Sequence, residues 1–129
     1  MKIAVVGVGA MGSVYATFFA EAGHEVWAVD KWREHVAAIN ASGLRLSGIS
    51  GDRLVENVEA VLDVGDAPKC DLYVIATKGS GVISAARAIA KAMPPHAMVL
   101  TIQNGLGAGA RISEYLPKDA VLLGVADGF

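Results

Sequence analysis

The sequence predicts an α/β fold: a doubly wound, mainly parallel sheet with helices on both faces. Two patterns predict it. Short runs that are apolar throughout and rich in β-branched residues alternate with segments of helical period, and glycine or proline marks the junctions between them. A chain of 129 residues suits one domain built around one core.

The elements follow in order. "KIAVVGVG" opens with a buried strand. After Gly12 the period changes: Tyr15, Phe18, Phe19 and Ala22 share one helical face, and Gly23 in "AGHE" is the expected C-cap. "EVWAVD" is a second strand. Trp32, Val36 and Ile39 mark a second helix that "NASG" stops. "LRLSGISGDRLVENV" holds two alternating runs around a glycine-rich turn, which predicts a hairpin or an edge excursion. "DLYVIAT" is a third strand of parallel type. Val82, Ala86, Ile89 and Met93 predict a helix ending at Pro94-Pro95, and "AMVLTI" is the fourth such strand. Ala108, Ile112 and Leu116 suggest a helix before Pro117, and "AVLLGVA" is the last strand.

Composition excludes several function classes. The chain is 53% hydrophobic and 19% charged, with a net charge of −2 and its acids and bases interspersed. That balance makes no electrostatic case for nucleic acid or an anionic membrane. Cys70 is the only cysteine, which fits a reducing, cytoplasmic setting. Ile3 to Ala20, uncharged after Lys2, resembles a signal peptide or a short membrane span, but Gly7, Gly9 and Gly12 interrupt the run and argue against both.

Gly7-Val8-Gly9-Ala10-Met11-Gly12 reads G-x-G-x-x-G, a weak pattern alone in a chain with 15 glycines. Its context strengthens it. It follows a predicted strand, opens a predicted helix, and is followed by Asp30 at the end of the next strand. In a Rossmann-type fold the first glycine allows the tight turn, the second lets a pyrophosphate approach the backbone, and the third lets helix and strand pack closely. The phosphates then rest on N–H groups at a helix N-terminus. Residues 1–129 are accordingly expected to be a dinucleotide-binding domain.

Ligands of an open parallel sheet bind beyond the carboxyl ends of its strands. That edge collects Asp30, Lys31, Thr77, Lys78, Gly79, Ser80, Gln103, Asn104, Gly105 and Asp127. The opposite edge collects His24, Cys70, Asp71 and His96, which argues against a catalytic histidine or cysteine. His35 falls within the second helix, where a solvated surface role is expected. No spacing resembles a metal site. Lys78 and Asn104 each follow a buried strand and precede a glycine. Lys78 suits a phosphate, a carboxylate or a polarised carbonyl, and Asn104 a carboxamide or hydroxyl. A solvated lysine at a helix start and a structural Asn-Gly turn remain open for them.

"KIAVVGVGAMGSVYA…GHEV", "ATKGSGV" and "IQNGLG" together resemble the N-terminal domain of the ketopantoate reductase (2-dehydropantoate 2-reductase) family over nearly the whole chain. The resemblance implies reduction of 2-dehydropantoate to pantoate by a hydride from NADPH, in pantothenate synthesis, with Lys78 and Asn104 near the nicotinamide and substrate. It implies a small 2-oxo acid as the partner and leaves a homodimer open for the full-length enzyme. The family's second, helical domain, which supplies the main catalytic lysine, has no counterpart in this chain, so the chain alone is expected to be inactive. "GVGAMG" would also suit a β-hydroxyacid dehydrogenase, and "GHEVWAVDK" a non-enzymatic nucleotide sensor, but "TKGSGV" and "QNGLG" do not suit a sensor.

"AVDKW" carries both signs at the position that discriminates cofactors. Asp30 can accept hydrogen bonds from the ribose hydroxyls of NAD and would repel a 2′-phosphate. Lys31 or Arg33 could neutralise that phosphate, or Asp30 could simply cap the following helix. Family members that use NADPH often carry an arginine where Lys31 stands, after an uncharged residue. The balance favours NADP(H) by a narrow margin and leaves NAD(H) open because of Asp30.

Overall fold

The computed structural model describes residues 1–47, 52–77, 79, 81–102, 112 and 114–124. Its elements are β1 (Lys2–Val6), α1 (Ala10–Glu21), β2 (Glu25–Val29), α2 (Arg33–Ser42), β3 (Leu44–Leu46), β4 (Arg53–Val55), β5 (Val58–Val61), β6 (Leu72–Ile75), α3 (Gly81–Ala92), β7 (Met98–Ile102) and β8 (Val121–Gly124). Single 3₁₀ turns at Val64–Asp66 and Lys118–Ala120 complete them.

Six strands form one sheet in the order β5-β2-β1-β6-β7-β8, and every pairing in it is parallel. Counting only these strands, the order is that of a Rossmann fold. The chain starts at the centre, winds outward to β5, then crosses back to β6. The winding therefore reverses between β1 and β6, and a crevice opens at their carboxyl ends.

Side chains of β1 alternate between two cores. Ile3 and Val5 pack with Ala16 and Ala20 of α1 and with Val36 and Ile39 of α2. Ala4 and Val6 pack with Tyr73 and Ile75 of β6 and with Val82, Ala86 and Ile89 of α3. Burial on both faces explains why these strands read as continuous apolar runs. The uncharged stretch at the chain start is thus a strand, a turn and a 12-residue helix. Among the described residues no helix is long and apolar enough to cross a membrane.

Both glycine-marked helix stops hold. Gly23, at φ +95, lies one residue past the α1 C-cap Ala22. Its N–H donates to the Ala20 carbonyl and that of His24 to Phe19, which makes a Schellman motif. Gly43 ends α2 at φ +90. The expected hairpin is β3–β4, with Leu44 opposite Val55.

One strand went unforeseen. β5 extends the sheet beside β2, with Val58 opposite Val26. It has only four residues, includes Glu59 and follows Glu56-Asn57, so no apolar run announced it. Its free edge is covered by Asn40 of α2, whose amide accepts from Ala60 N–H and donates to the Ala60 carbonyl, both at 2.8 Å. Of the helix expected around Ala108, Ile112 and Leu116, Ile112 is helical, Ile112 and Leu116 are buried, the Leu116 N–H donates to the Ile112 carbonyl at 3.0 Å, and residues 103–111 and 113 lie outside the described set.

Asn40→Ala removes both bonds to β5 while leaving α2 a good helix former. Chemical denaturation should show a loss of about 1–3 kcal/mol. A change below about 0.5 kcal/mol, the usual range for an inert surface site, would mean that water serves this edge equally well.

Candidate functional site

The glycine turn joins β1 to α1 at the crevice. Gly7, at φ +92, donates its N–H to the Val29 carbonyl of β2 at 2.8 Å. A Cβ at Gly7 would lie 2.8 Å from the Thr77 methyl and 2.9 Å from the Thr77 nitrogen. A Cβ at Gly12 would collide with the Gly7 carbonyl oxygen. Gly9 is different: its φ is −74 and its Cβ would meet nothing within 4 Å. The protein's own packing therefore demands glycine at 7 and 12 but not at 9.

The N-terminus of α1 has donors to spare. Gly9 is the N-cap, and the first bond into the helix runs from Ser13 N–H to the Gly9 carbonyl at 3.0 Å. Among the described residues the Gly9 N–H has no acceptor, no side chain caps the helix, and no acid lies in its first turn. Such a terminus attracts an anion through its N–H groups and the helix dipole.

Asp30 stands just past β2. Its Oδ2 accepts from Val8 N–H and its Oδ1 from Trp32 N–H, each at 3.0 Å. Both carboxylate oxygens thus hold backbone, one in the glycine turn and one at the entry to α2. The capping role weighed for Asp30 does not hold: the N-cap of α2 is Trp32 and no side chain caps the helix, so the Asp30 bond to Trp32 N–H closes a turn just ahead of it. Lys31 reaches the other way: its Nζ lies 3.5 Å from Ser84 Oγ on α3.

Two hollows flank Asp30. One, of 380 Å³, is lined by Gly7, Asp30, Lys31, Thr77 and Ser84 among others. The other, of 600 Å³, is lined by Gly9, Ala10, Trp32, His35 and Arg45 among others. Trp32 is 62% exposed and stacks on His35, with ring centroids 5.3 Å apart.

The structure brings Gly7, Val8, Gly9, Ala10, Met11, Gly12, Asp30, Lys31 and Thr77 to the carboxyl edge of the sheet. Lys78, Ser80, Gln103, Asn104, Gly105 and Asp127 lie outside the described residues. At the opposite edge Asp71 accepts from Lys2 N–H at 2.8 Å and from His96 at 2.9 Å. The Lys2 bond, then the His96 bond, holds its carboxyl below the usual range. Burial, then the Asp71 and Glu25 carboxylates, pushes the Cys70 thiol up to about 11, so it is no nucleophile. Among the described residues no three His, Cys, Asp or Glu side chains gather to hold a metal ion.

His35 corrects the sequence reading. It is half-buried, and its Nε2–H donates to the Val8 carbonyl at 2.8 Å. Its place in the first turn of α2, across the β1–β2 pair from the glycine turn, was the available signal. Arg45, from β3, was also unforeseen beside the turn, because the hairpin's position could not be read from its residues.

The model of the ketopantoate reductase PanE/ApbA family matches residues 3–128. The chain belongs to this family. It is 32% identical over 96% of its length to the 2-dehydropantoate 2-reductase of Lactococcus lactis, of which it covers 40%. A PanE/ApbA family ketopantoate reductase from Ralstonia eutropha matches 97% of the chain with a TM-score of 0.84 and 35% identity, over 40% of that protein. D-mandelate dehydrogenase, solved with NADH and anilino(oxo)acetate, matches 97% of the chain with a TM-score of 0.88 and 29% identity, again over 40% of that protein. The chain spans about two fifths of the relatives it matches.

Gly9 and Gly12 should separate cleanly on substitution. Gly9→Ala should keep the melting temperature of the wild-type chain and lose affinity for an anion at the turn, whereas Gly12→Ala should cost several kcal/mol, of the order seen for overpacked cores. Thermal melts and calorimetry with a dinucleotide check both, and a destabilised Gly9→Ala would contradict the open space above that residue.

Proposed function

We propose that this chain binds NAD(P)(H) across its glycine turn and forms the cofactor half of a reductase that acts on a small 2-oxo acid, 2-dehydropantoate being reduced to pantoate. The observation that carries the reading is the Gly9 N–H, unclaimed at a helix N-terminus under open space. The family, and the D-mandelate dehydrogenase solved with NADH, support it.

In this reading Gly9, Ala10 and Met11 offer N–H groups to the pyrophosphate, and Gly7 and Gly12 shape the turn that presents them. The adenosine end lies in the hollow between Asp30 and Ser84. Thr77, Lys78 and Asn104 serve the nicotinamide and substrate end. When bound, the cofactor supplies the hydride. The proton for the carbonyl oxygen comes from a lysine in a second, helical domain of the whole enzyme, and the chain alone does not turn over. A cytoplasmic setting agrees with the free, buried Cys70.

For the cofactor, a narrow preference for NADP(H) rests on Lys31, which borders the same hollow as Asp30 and is exposed enough to turn to a 2′-phosphate. Asp30 opposes that phosphate and keeps NAD(H) in use. Calorimetry on the chain should show the ratio of NADPH to NADH affinity rising in Asp30→Ala and falling in Lys31→Ala. An unchanged ratio in both variants would show that neither residue reads the ribose.

In the whole enzyme, Lys78→Ala and Asn104→Ala should each lower kcat/KM for 2-oxo acid reduction by roughly ten- to a hundredfold while adenosine-end binding changes little. Near wild-type kinetics in both would return them to a solvated lysine and a structural turn.

A further inference from the structure

The residue between the first two glycines is held by side chains from three elements. The Val8 N–H donates to Asp30 Oδ2 at 3.0 Å. The Val8 carbonyl accepts from His35 Nε2 at 2.8 Å and from Ser13 Oγ at 3.0 Å. Asp30 follows β2, His35 belongs to α2 and Ser13 to α1. The Val8 side chain, 1% exposed, anchors the residue in the core.

These bonds matter because of peptide geometry. Among the described residues every peptide bond is trans. In a planar trans peptide the carbonyl and the following N–H point in opposite directions. Drawing the Val8 carbonyl toward His35 and Ser13 therefore turns the Gly9 N–H the other way. That N–H is the donor with no acceptor among the described residues. Glycine on both sides of Val8 leaves its peptide planes little intrinsic preference, so outside bonds must set them. The plane before Val8 is set by Asp30 and by the packing of the Gly7 carbonyl against Gly12. The plane after it is set by His35 and Ser13.

We infer that His35 is a positioning residue of the dinucleotide site, aiming the Gly9 N–H at the cofactor's pyrophosphate through its bond to the Val8 carbonyl. The inference rests on the dinucleotide reading above. It also alters the role of Asp30, which holds the turn for either cofactor as well as facing the ribose. A side chain that acts through the pyrophosphate cannot distinguish NADPH from NADH, so its loss weakens both alike.

The test pairs His35→Ala with His35→Gln, whose amide N–H can replace the Nε2–H donor. In the ligand-free chain, ¹⁵N NMR should show a proton on His35 Nε2. The Gly9 amide signal should shift in His35→Ala and return toward its wild-type position in His35→Gln. Calorimetry should show NADPH and NADH affinities falling by the same factor, roughly three- to tenfold, in His35→Ala, with most of the loss restored in His35→Gln and the melting temperature of His35→Ala little changed. A bare Nε2, a Gly9 amide indifferent to both substitutions, or wild-type affinity in His35→Ala would overturn the inference. If the wild-type chain binds neither cofactor, the functional reading fails, while the two NMR signals still decide whether His35 holds the turn.

Discussion

The approach of Gly12 to the Gly7 carbonyl is the contact on which the rest depends. No side chain fits between them, so α1 begins pressed against the end of β1. That closeness brings the helix N-terminus over the crevice where the sheet reverses its winding. It also sets the first turn of α1, with the Gly9 N–H uncommitted among the described residues, beside the crevice between β1 and β6. Gly9 then sits above open space because its neighbours in the motif have already satisfied the packing.

Charge is divided between the edges of the sheet in keeping with this. At the amino edge, His96 and the Lys2 backbone satisfy Asp71, and Cys70 is buried with its thiol suppressed. Those groups fasten loops. At the carboxyl edge, Asp30 binds two backbone N–H groups and Lys31 and Arg45 border hollows on either side of it. A carboxylate with both oxygens engaged is fixed in place as a structural tie, and in the proposed reading the same fixed carboxylate faces the ribose. In "AVDKW" the acid turns inward to hold backbone and the base reaches outward to Ser84, so the two stand together without pairing.

Much of this was legible in the residues because it depended on local rules. Apolar runs buried on both faces announced β1, β2, β6 and β7, and Gly23 and Gly43 marked the ends of two helices as expected. The glycine spacing with Asp30 downstream located the turn. What escaped depended on tertiary partners. β5 is too short and too polar to stand out, and becomes a strand through its pairing with β2 and the amide of Asn40. For His35 the sequence offered only its place in the first turn of α2, and the bond itself was hidden because the acceptor is a backbone carbonyl 27 residues away in sequence. Arg45 reaches the site only because the β3–β4 hairpin folds beside α1.

The central claim is that this chain receives a dinucleotide at the glycine turn. The most direct measurement is a ¹H–¹⁵N NMR titration of the chain with NADPH and with NADH. The account predicts that the largest shifts fall on the amides of Gly9, Ala10 and Met11, with further shifts at Asp30, Lys31 and Trp32, and little change at His24, Asp71 and His96. Shifts concentrated at His24, Asp71 and His96, or none with either cofactor, would contradict it.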